Sequence, residues 1–235
     1  MGAPDLAADA RILWRLLRGQ PRTGSHAENL QAFYAPQASR YDAFRARLLH
    51  GRQELIDRLE LAPGQRVVEL GCGTGSSLER IGPRLAALAS VDLVDLCPAL
   101  LAVARQRAAG LDRVRVHEAD ARLWQPAQTV DVVFLSYALT MIPDWADVVA
   151  NARNMLRPGG RIGLVDFHLP AAGSRWGNRF WRQWFRHDGV HLSAAHLPTL
   201  RQAFREDYSR NDSAPVPYLP VLRAPYYLFI GSRDA

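Results

Sequence analysis

The residues from Val67 to Leu78, Val-Val-Glu-Leu-Gly-Cys-Gly-Thr-Gly-Ser-Ser-Leu, leave few folds open. A β-branched apolar pair runs through Glu69 into glycines at alternate positions, Gly71, Gly73 and Gly75, and then into a segment able to become helical. Glycine is wanted where the backbone takes positive φ or comes close to a ligand, so this spacing predicts a strand, a ligand loop and a helix start. At 235 residues and 26.2 kDa the chain suits one α/β domain that needs no disulfide or metal to hold its core. Cys72 and Cys97 each follow a predicted strand and lack disulfide spacing, which favours a reducing, cytoplasmic compartment; no metal site is read.

Before the glycine loop, Arg11 to Arg18 reads as a short helix with Arg11, Arg15 and Arg18 on one face, suited to packing or to membrane contact. A polar break from Gly19 to Glu28 and helical stretches toward Leu59 complete a helical cap over residues 1–60. The core is read as 61–235, with substrate- or membrane-facing helices at 171–206. Strands are predicted at Arg66 to Leu70, Ser90 to Asp95, Arg113 to His117, Val130 to Ser136 and Arg161 to Phe167. Helices are predicted near Ser77 to Leu88, from Pro98, from Trp145 to Leu156, at Arg175 to Arg186 and near Ala195 to Arg205. A proline-rich passage from Pro215 to Pro225 precedes a final strand around Tyr226 to Ile230. Such alternation implies a mostly parallel sheet covered on both faces, with ligands beyond the strands' carboxyl ends. No apolar run reaches the length needed to cross a bilayer, and no secretion layout opens the chain.

An acid at the end of the second strand can accept hydrogen bonds from both hydroxyls of a ribose. Asp95, 20 residues after Gly75, fits that role better than Asp92, which lies earlier in the strand. Asp120 after the third strand is the candidate for an adenine amino group, and Glu69 either holds the loop or meets an ammonium. The dinucleotide fingerprint calls for Gly or Ala where this chain has Ser76.

The loop Glu69 to Gly75, Asp95, Asp120 and Leu156-Arg157-Pro158-Gly159-Gly160-Arg161, in this order, resemble class I S-adenosylmethionine-dependent methyltransferases from about Ala62 to Phe167. The resemblance implies a Rossmann-like, mostly parallel seven-stranded sheet with an antiparallel last strand. It implies S-adenosylmethionine as cofactor, held by Arg52, Glu69, Gly71, Cys72, Gly73, Gly75, Asp95, Leu96, Asp120, Ala121, Ser136 and Tyr137. Ser136 and Tyr137, with Met141, would face the methyl group.

Segments outside this core are similar to the bacterial betaine-lipid N-methyltransferases, which methylate diacylglyceryl-homoserine three times. They are Phe33 to Ala38 with Tyr41-Asp42, Leu48 to Arg52, Ser136 to Trp145, His191 to Ser193 and Pro217 to Pro220. Cys97 departs from the serine common at its position, and the likeness does not cover the first 28 residues. This resemblance implies a lipid-linked amine as substrate.

A net charge of +6, carried by 29 basic residues that are all arginine, favours phosphate-bearing surfaces. Arg175, Arg179, Arg182 and Arg186 fall within about 60° on a helical wheel, opposite Trp176, Phe180, Trp181, Trp184 and Phe185. That pattern suits a helix in an anionic membrane interface, or one that buries its aromatics on the sheet. It predicts a peripheral protein on the cytoplasmic membrane. No Asn/Asp-Pro-Pro-aromatic element points to a nucleic-acid base. His50 and His191 are candidate proton acceptors, Tyr34, Tyr41, Tyr137 and Tyr218 candidate partners for a developing ammonium, and Arg52 a candidate carboxylate clamp. Phosphatidylethanolamine, a quinone precursor, a small amine, or cofactor binding without turnover stand as alternatives.

Overall fold

A computed structural model describes residues 47–169, 179, 181, 183, 190–217 and 219–234. The helix at 11–18, Tyr34, Tyr41, Tyr218 and most of 175–186 lie outside these residues. Helix α1 covers Arg52–Arg58, β1 Arg66–Leu70, α2 Ser77–Ile81, β2 Ser90–Asp95, α3 Pro98–Ala108 and β3 Val114–Glu118. After them come β4 Val130–Ser136, α4 Trp145–Met155, β5 Leu156–Phe167, α5 His196–Ala203, β6 Arg205–Val216 and β7 Leu219–Ser232.

Among the described residues seven strands form one sheet in the order β3-β2-β1-β4-β5-β7-β6. Strands β1 to β5 pair in parallel, and β7 runs antiparallel to both β5 and β6. This is the Rossmann-like sheet that the alternating pattern implies. Because β1 lies between β2 and β4, the crossovers diverge there and open a crevice beyond the carboxyl ends of those strands.

Alternate strand residues feed two core layers. Val67, Val132 and Phe134 join Leu55, Ile56, Leu78, Ile81 and Leu101 from α1, α2 and α3. Val68, Val133 and Leu135 join Val148, Ala152, Met155, Leu197 and Leu200 from α4 and α5. Both faces are therefore apolar, as a covered parallel sheet requires. The short α1 has no side-chain cap, and Gly51 precedes it at φ 76°. It is held instead by Leu55, Ile56 and the following Leu59, all but fully buried, at about 1.5–3 kcal/mol each. Trp181 packs half-buried against the same layer.

Three expectations need correction. The helix predicted near Ser77 to Leu88 stops at Ile81 and continues as a 3₁₀ turn over Gly82–Ala87, because Pro83 disfavours helical geometry in the residue before it. The helix predicted near Ala195 to Arg205 ends at Ala203, and residues from Arg205 enter a strand. The passage from Pro215 to Pro225 is the closed end of a long hairpin: β6 runs into it as far as Val216, and β7 begins at Leu219 instead of Tyr226. Pro158-Gly159-Gly160 likewise lies within β5, at a register shift against β4.

Candidate active site

The glycine loop adopts the predicted geometry, with φ of 71°, 56° and 68° at Gly71, Gly73 and Gly75. A Cβ at Gly71 would sit 2.3 Å from that of Ala138, so this glycine lets the loop after β4 close on the loop after β1. Gly71 and Cys72 both donate to the Val94 carbonyl, at 2.8 and 3.0 Å. Asp95 joins the loops further. Its Oδ2 accepts the Gly73 N–H at 2.8 Å and its Oδ1 the Cys97 N–H at 2.9 Å.

These loops enclose a cavity of about 250 Å³ that gathers Gly71, Gly73, Asp95, Leu96, Asp120, Ala121 and Tyr137 of the predicted set. Leu100, Arg122, Ala138, Met141, Ile142, Pro143 and Asp144 also line it. Asp92 does not; it is buried within β2, 2.7 Å from His117 Nε2. Arg122, unmarked among so many arginines, grips Asp120 through Nε at 3.0 Å and Nη2 at 2.7 Å, and reaches Asp144 with Nη1.

A second, small polar cavity shares Gly71 with the first and gathers Arg52, Glu69, Cys72 and Ser136 with Thr74, Ser76, Ser77 and Arg80. Ser77 Oγ donates to the Glu69 carboxyl, and Arg52 Nη1 donates to Ser76 Oγ at 3.3 Å. Burial pushes the Glu69 carboxyl up to about 8, against the Ser77 hydrogen bond and the Arg52 charge. Ser136 Oγ is buried with no hydrogen-bond partner among the described residues. Gly75 lines neither cavity; a Cβ there would crowd Leu93 and Ala104 at 3.2 and 3.3 Å, so it serves helix packing. Burial raises both cysteine thiols, which keeps them from acting as thiolates.

Tyr137 takes φ 55°, an uncommon conformation for a bulky residue. Its N–H donates to the Val165 carbonyl at 2.8 Å, its hydroxyl donates to the His50 carbonyl at 2.8 Å, and its ring meets Phe167 edge-on at 4.6 Å. His50 Nε2 is buried without a partner among the described residues. His191 is exposed and does not line the cavity; its backbone N–H donates to the Thr140 carbonyl at 2.7 Å. Among the described residues no cluster of three or more His, Cys, Asp or Glu could hold a metal.

A methyltransferase domain model matches residues 67–160. The chain is 29% identical over 188 residues to a 2-phytyl-1,4-naphtoquinone methyltransferase of Thermosynechococcus vestitus, covering 75% of this chain and 84% of that protein. A trans-aconitate 2-methyltransferase of Escherichia coli is 34% identical over 111 residues, and there the match covers 47% of this chain and 42% of the relative. In fold, the N-methyltransferase NodS of Bradyrhizobium japonicum, solved with S-adenosyl-L-homocysteine, matches with a TM-score of 0.68 at 16% identity, over 88% of this chain and 100% of that one.

The matched methyltransferase domain runs from the glycine loop to the Pro-Gly-Gly turn, on a Rossmann-like sheet whose solved neighbours include methyltransferases. S-adenosylmethionine is its cofactor.

Proposed function

We propose that the protein trimethylates the amino group of diacylglyceryl-homoserine to give the betaine lipid, working as a peripheral protein on an anionic membrane. One observation carries this reading. Three of the segments that resemble the betaine-lipid enzymes, Leu48 to Arg52, Ser136 to Trp145 and His191 to Ser193, converge through the Tyr137–His50 and His191–Thr140 hydrogen bonds on the loop that carries Tyr137 and Met141 to the cavity. Among the described residues no helix is long and apolar enough to cross a membrane, so a lipid acceptor would be met at the surface.

The residues present suit the cofactor. Gly71, which lies too close to Ala138 for a Cβ, borders a mainly apolar cavity suited to an adenosine, and the polar cavity beside it offers charge to an amino acid. In this reading Asp95 takes the ribose hydroxyls and Asp120 the adenine amino group. Arg52 clamps the methionine carboxylate, while Glu69 and Ser136 receive its ammonium. The cofactor supplies an electrophilic methyl on a sulfonium, so the protein's part is alignment in a water-poor pocket. Tyr137 and Met141 border the path of the methyl group. Each attacking nitrogen must be neutral, and a proton leaves after each of the first two transfers. His50 Nε2, buried and without a partner among the described residues, is the group proposed to accept it.

The test is to incubate the protein with labelled cofactor and each acceptor and weigh the products. Mass steps of one, two and three methyls on diacylglyceryl-homoserine support the reading; transfer only to phosphatidylethanolamine or a soluble amine rejects it. The likeness to a 2-phytyl-1,4-naphtoquinone methyltransferase over 75% of the chain favours, as a second reading, methylation of a quinone precursor, and the same assay, with that acceptor included, separates the two.

A further inference from the structure

We propose that Asp166, acting through Thr140, is a positioning residue for methyl transfer, holding the loop after β4 in the one conformation that presents Tyr137 and Met141 to the cavity. The inference rests on the reading of this site as a methyl-transfer site.

Strand β5 is otherwise apolar at its carboxyl end, with Leu164, Val165 and Phe167 buried, and Asp166 there is only 1% exposed. A buried carboxylate is tolerated only where donors replace its water. Asp166 accepts from Thr140 Oγ1 at 2.6 Å, from the Thr140 N–H at 3.1 Å and from its neighbour's Phe167 N–H at 2.8 Å, and the Leu139 backbone donates to it as well. Two of these bonds come from a single residue of the loop, itself 1% exposed and in the middle of the turn Leu139–Met141.

The loop needs such a grip. Tyr137 stands at φ 55°, and a residue in that region persists only where its surroundings over-determine it. Consecutive residues of β5 hold both parts of the loop, the Val165 carbonyl taking the Tyr137 N–H and the Asp166 carboxylate taking Thr140. Between these anchors Ala138 closes on Gly71, and just beyond them Met141 lines the cavity. The Thr140 carbonyl then receives the His191 N–H at 2.7 Å, tying the segment near 191 to the same point.

The titratable groups around Asp166 leave it to act alone near neutrality. Tyr227 is its register partner on β7, and the rings of His168 and His196 lie 6.0 and 6.2 Å from the Tyr227 ring. Burial raises the Tyr227 hydroxyl well above its ordinary value and lowers both histidines, so all three are uncharged. Burial also pushes the Asp166 carboxyl up to about 6, with the hydrogen bonds from Thr140, Phe167 and Leu139 opposing. Ionised, it accepts both Thr140 donors; protonated, one oxygen becomes a donor facing donors, and the loop loosens.

The experiment compares Asp166→Asn, Thr140→Ala and Thr140→Ser with wild type. It measures turnover from about pH 5 to 8, S-adenosylhomocysteine affinity by calorimetry and amide exchange of residues 138–142. Misplacing a reacting group by about 1 Å can cost about 100-fold, so Asn and Ala are expected to lower kcat at least about 10-fold while affinity stays within about threefold. Serine, which keeps the hydroxyl, is expected to restore kcat. Wild-type kcat shows an added fall as the pH drops through about 6, and the Asp166→Asn profile lacks that inflection. Unchanged kcat in Asn and Ala, an equal loss of affinity, or no rescue by serine overturns the proposal. Should wild type transfer methyl to no acceptor, the methyl-transfer reading fails, and amide exchange alone judges the clamp. Protection lost in Asn and Ala but kept in Ser supports it, and any other pattern overturns it.

Discussion

Asp120 accepts four hydrogen bonds from Arg122 alone, one from its backbone N–H and three from its guanidinium. On the proposed reading an adenine amino group would reach that carboxylate by displacing part of the guanidinium, for which Asp144 is a second seat. An exposed ion pair is worth about 0–1 kcal/mol, so Arg122→Gln is predicted to tighten S-adenosylhomocysteine by about two- to fivefold, whereas Asp120→Asn weakens it by about 10-fold or more, both by calorimetry. Glu69 gives a pH prediction. Its carboxyl titrates at about 8 when folded against an ordinary 4.5, so the proton it keeps stabilises the fold fully below about pH 4.5. That contribution is lost as the pH rises toward 8. The thermal midpoint should decline across this window, and Glu69→Gln should flatten the decline.

Spacing made Gly71, Gly73, Asp95 and Asp120 legible in the sequence, because their positions relative to strand ends are fixed by strand geometry. Arg122 was not, since one arginine among 29 looks like any solvated charge. Asp166 was not, since its partner Thr140 lies 26 residues away and only the β4–β5 pairing brings them together. An acid inside an apolar strand was the one available signal.

At the scale of elements, β1, β2 and β4 were readable as apolar runs closed by glycine, cysteine or serine. Strand β6 was not, because its polar, proline-containing composition reflects an edge position with β7 as its partner. Helix α5 has its own acid sensitivity. His196 is 1% exposed, both ring nitrogens lack partners among the described residues, and its ring packs 4.6 Å from Trp145. Burial holds it at about 4 instead of 6.5, so stability is lost as the pH falls between these values. Asp166 works in the opposite sense over about the same range, so the variant isolates the effect: His196→Leu should lose less stability than wild type between pH 6.5 and about 4 in denaturant melts. The arginine and tryptophan pattern at 175–186 predicts co-sedimentation with anionic vesicles that weakens in Trp184→Ala and at high salt. Trp181→Ala should also lower the melting temperature, because that ring packs on the core.

For the whole molecule, the two core layers meet at a sheet whose switch point holds both cavities, so cofactor binding and global stability are linked. At a free concentration about 100 times its Kd, S-adenosylhomocysteine should add about 2.7 kcal/mol, raising the thermal midpoint by about 5–10 °C. On the proposed reading adenosine alone would leave the polar cavity around Arg52 and Glu69 unfilled and should raise it less.

The long hairpin has a consequence for how copies of this protein meet one another. Among the described residues strand β6 is paired on one side only, leaving a 12-residue edge that in a flat apolar strand would template cross-chain sheet growth. Exposed Arg205, Glu206 and Asp207, the Arg210–Asp212 pair and Pro215 line that margin. Any incoming strand would have to desolvate charges of both signs and do without the proline's missing N–H, so the sheet ends at β6 even in crowded surroundings.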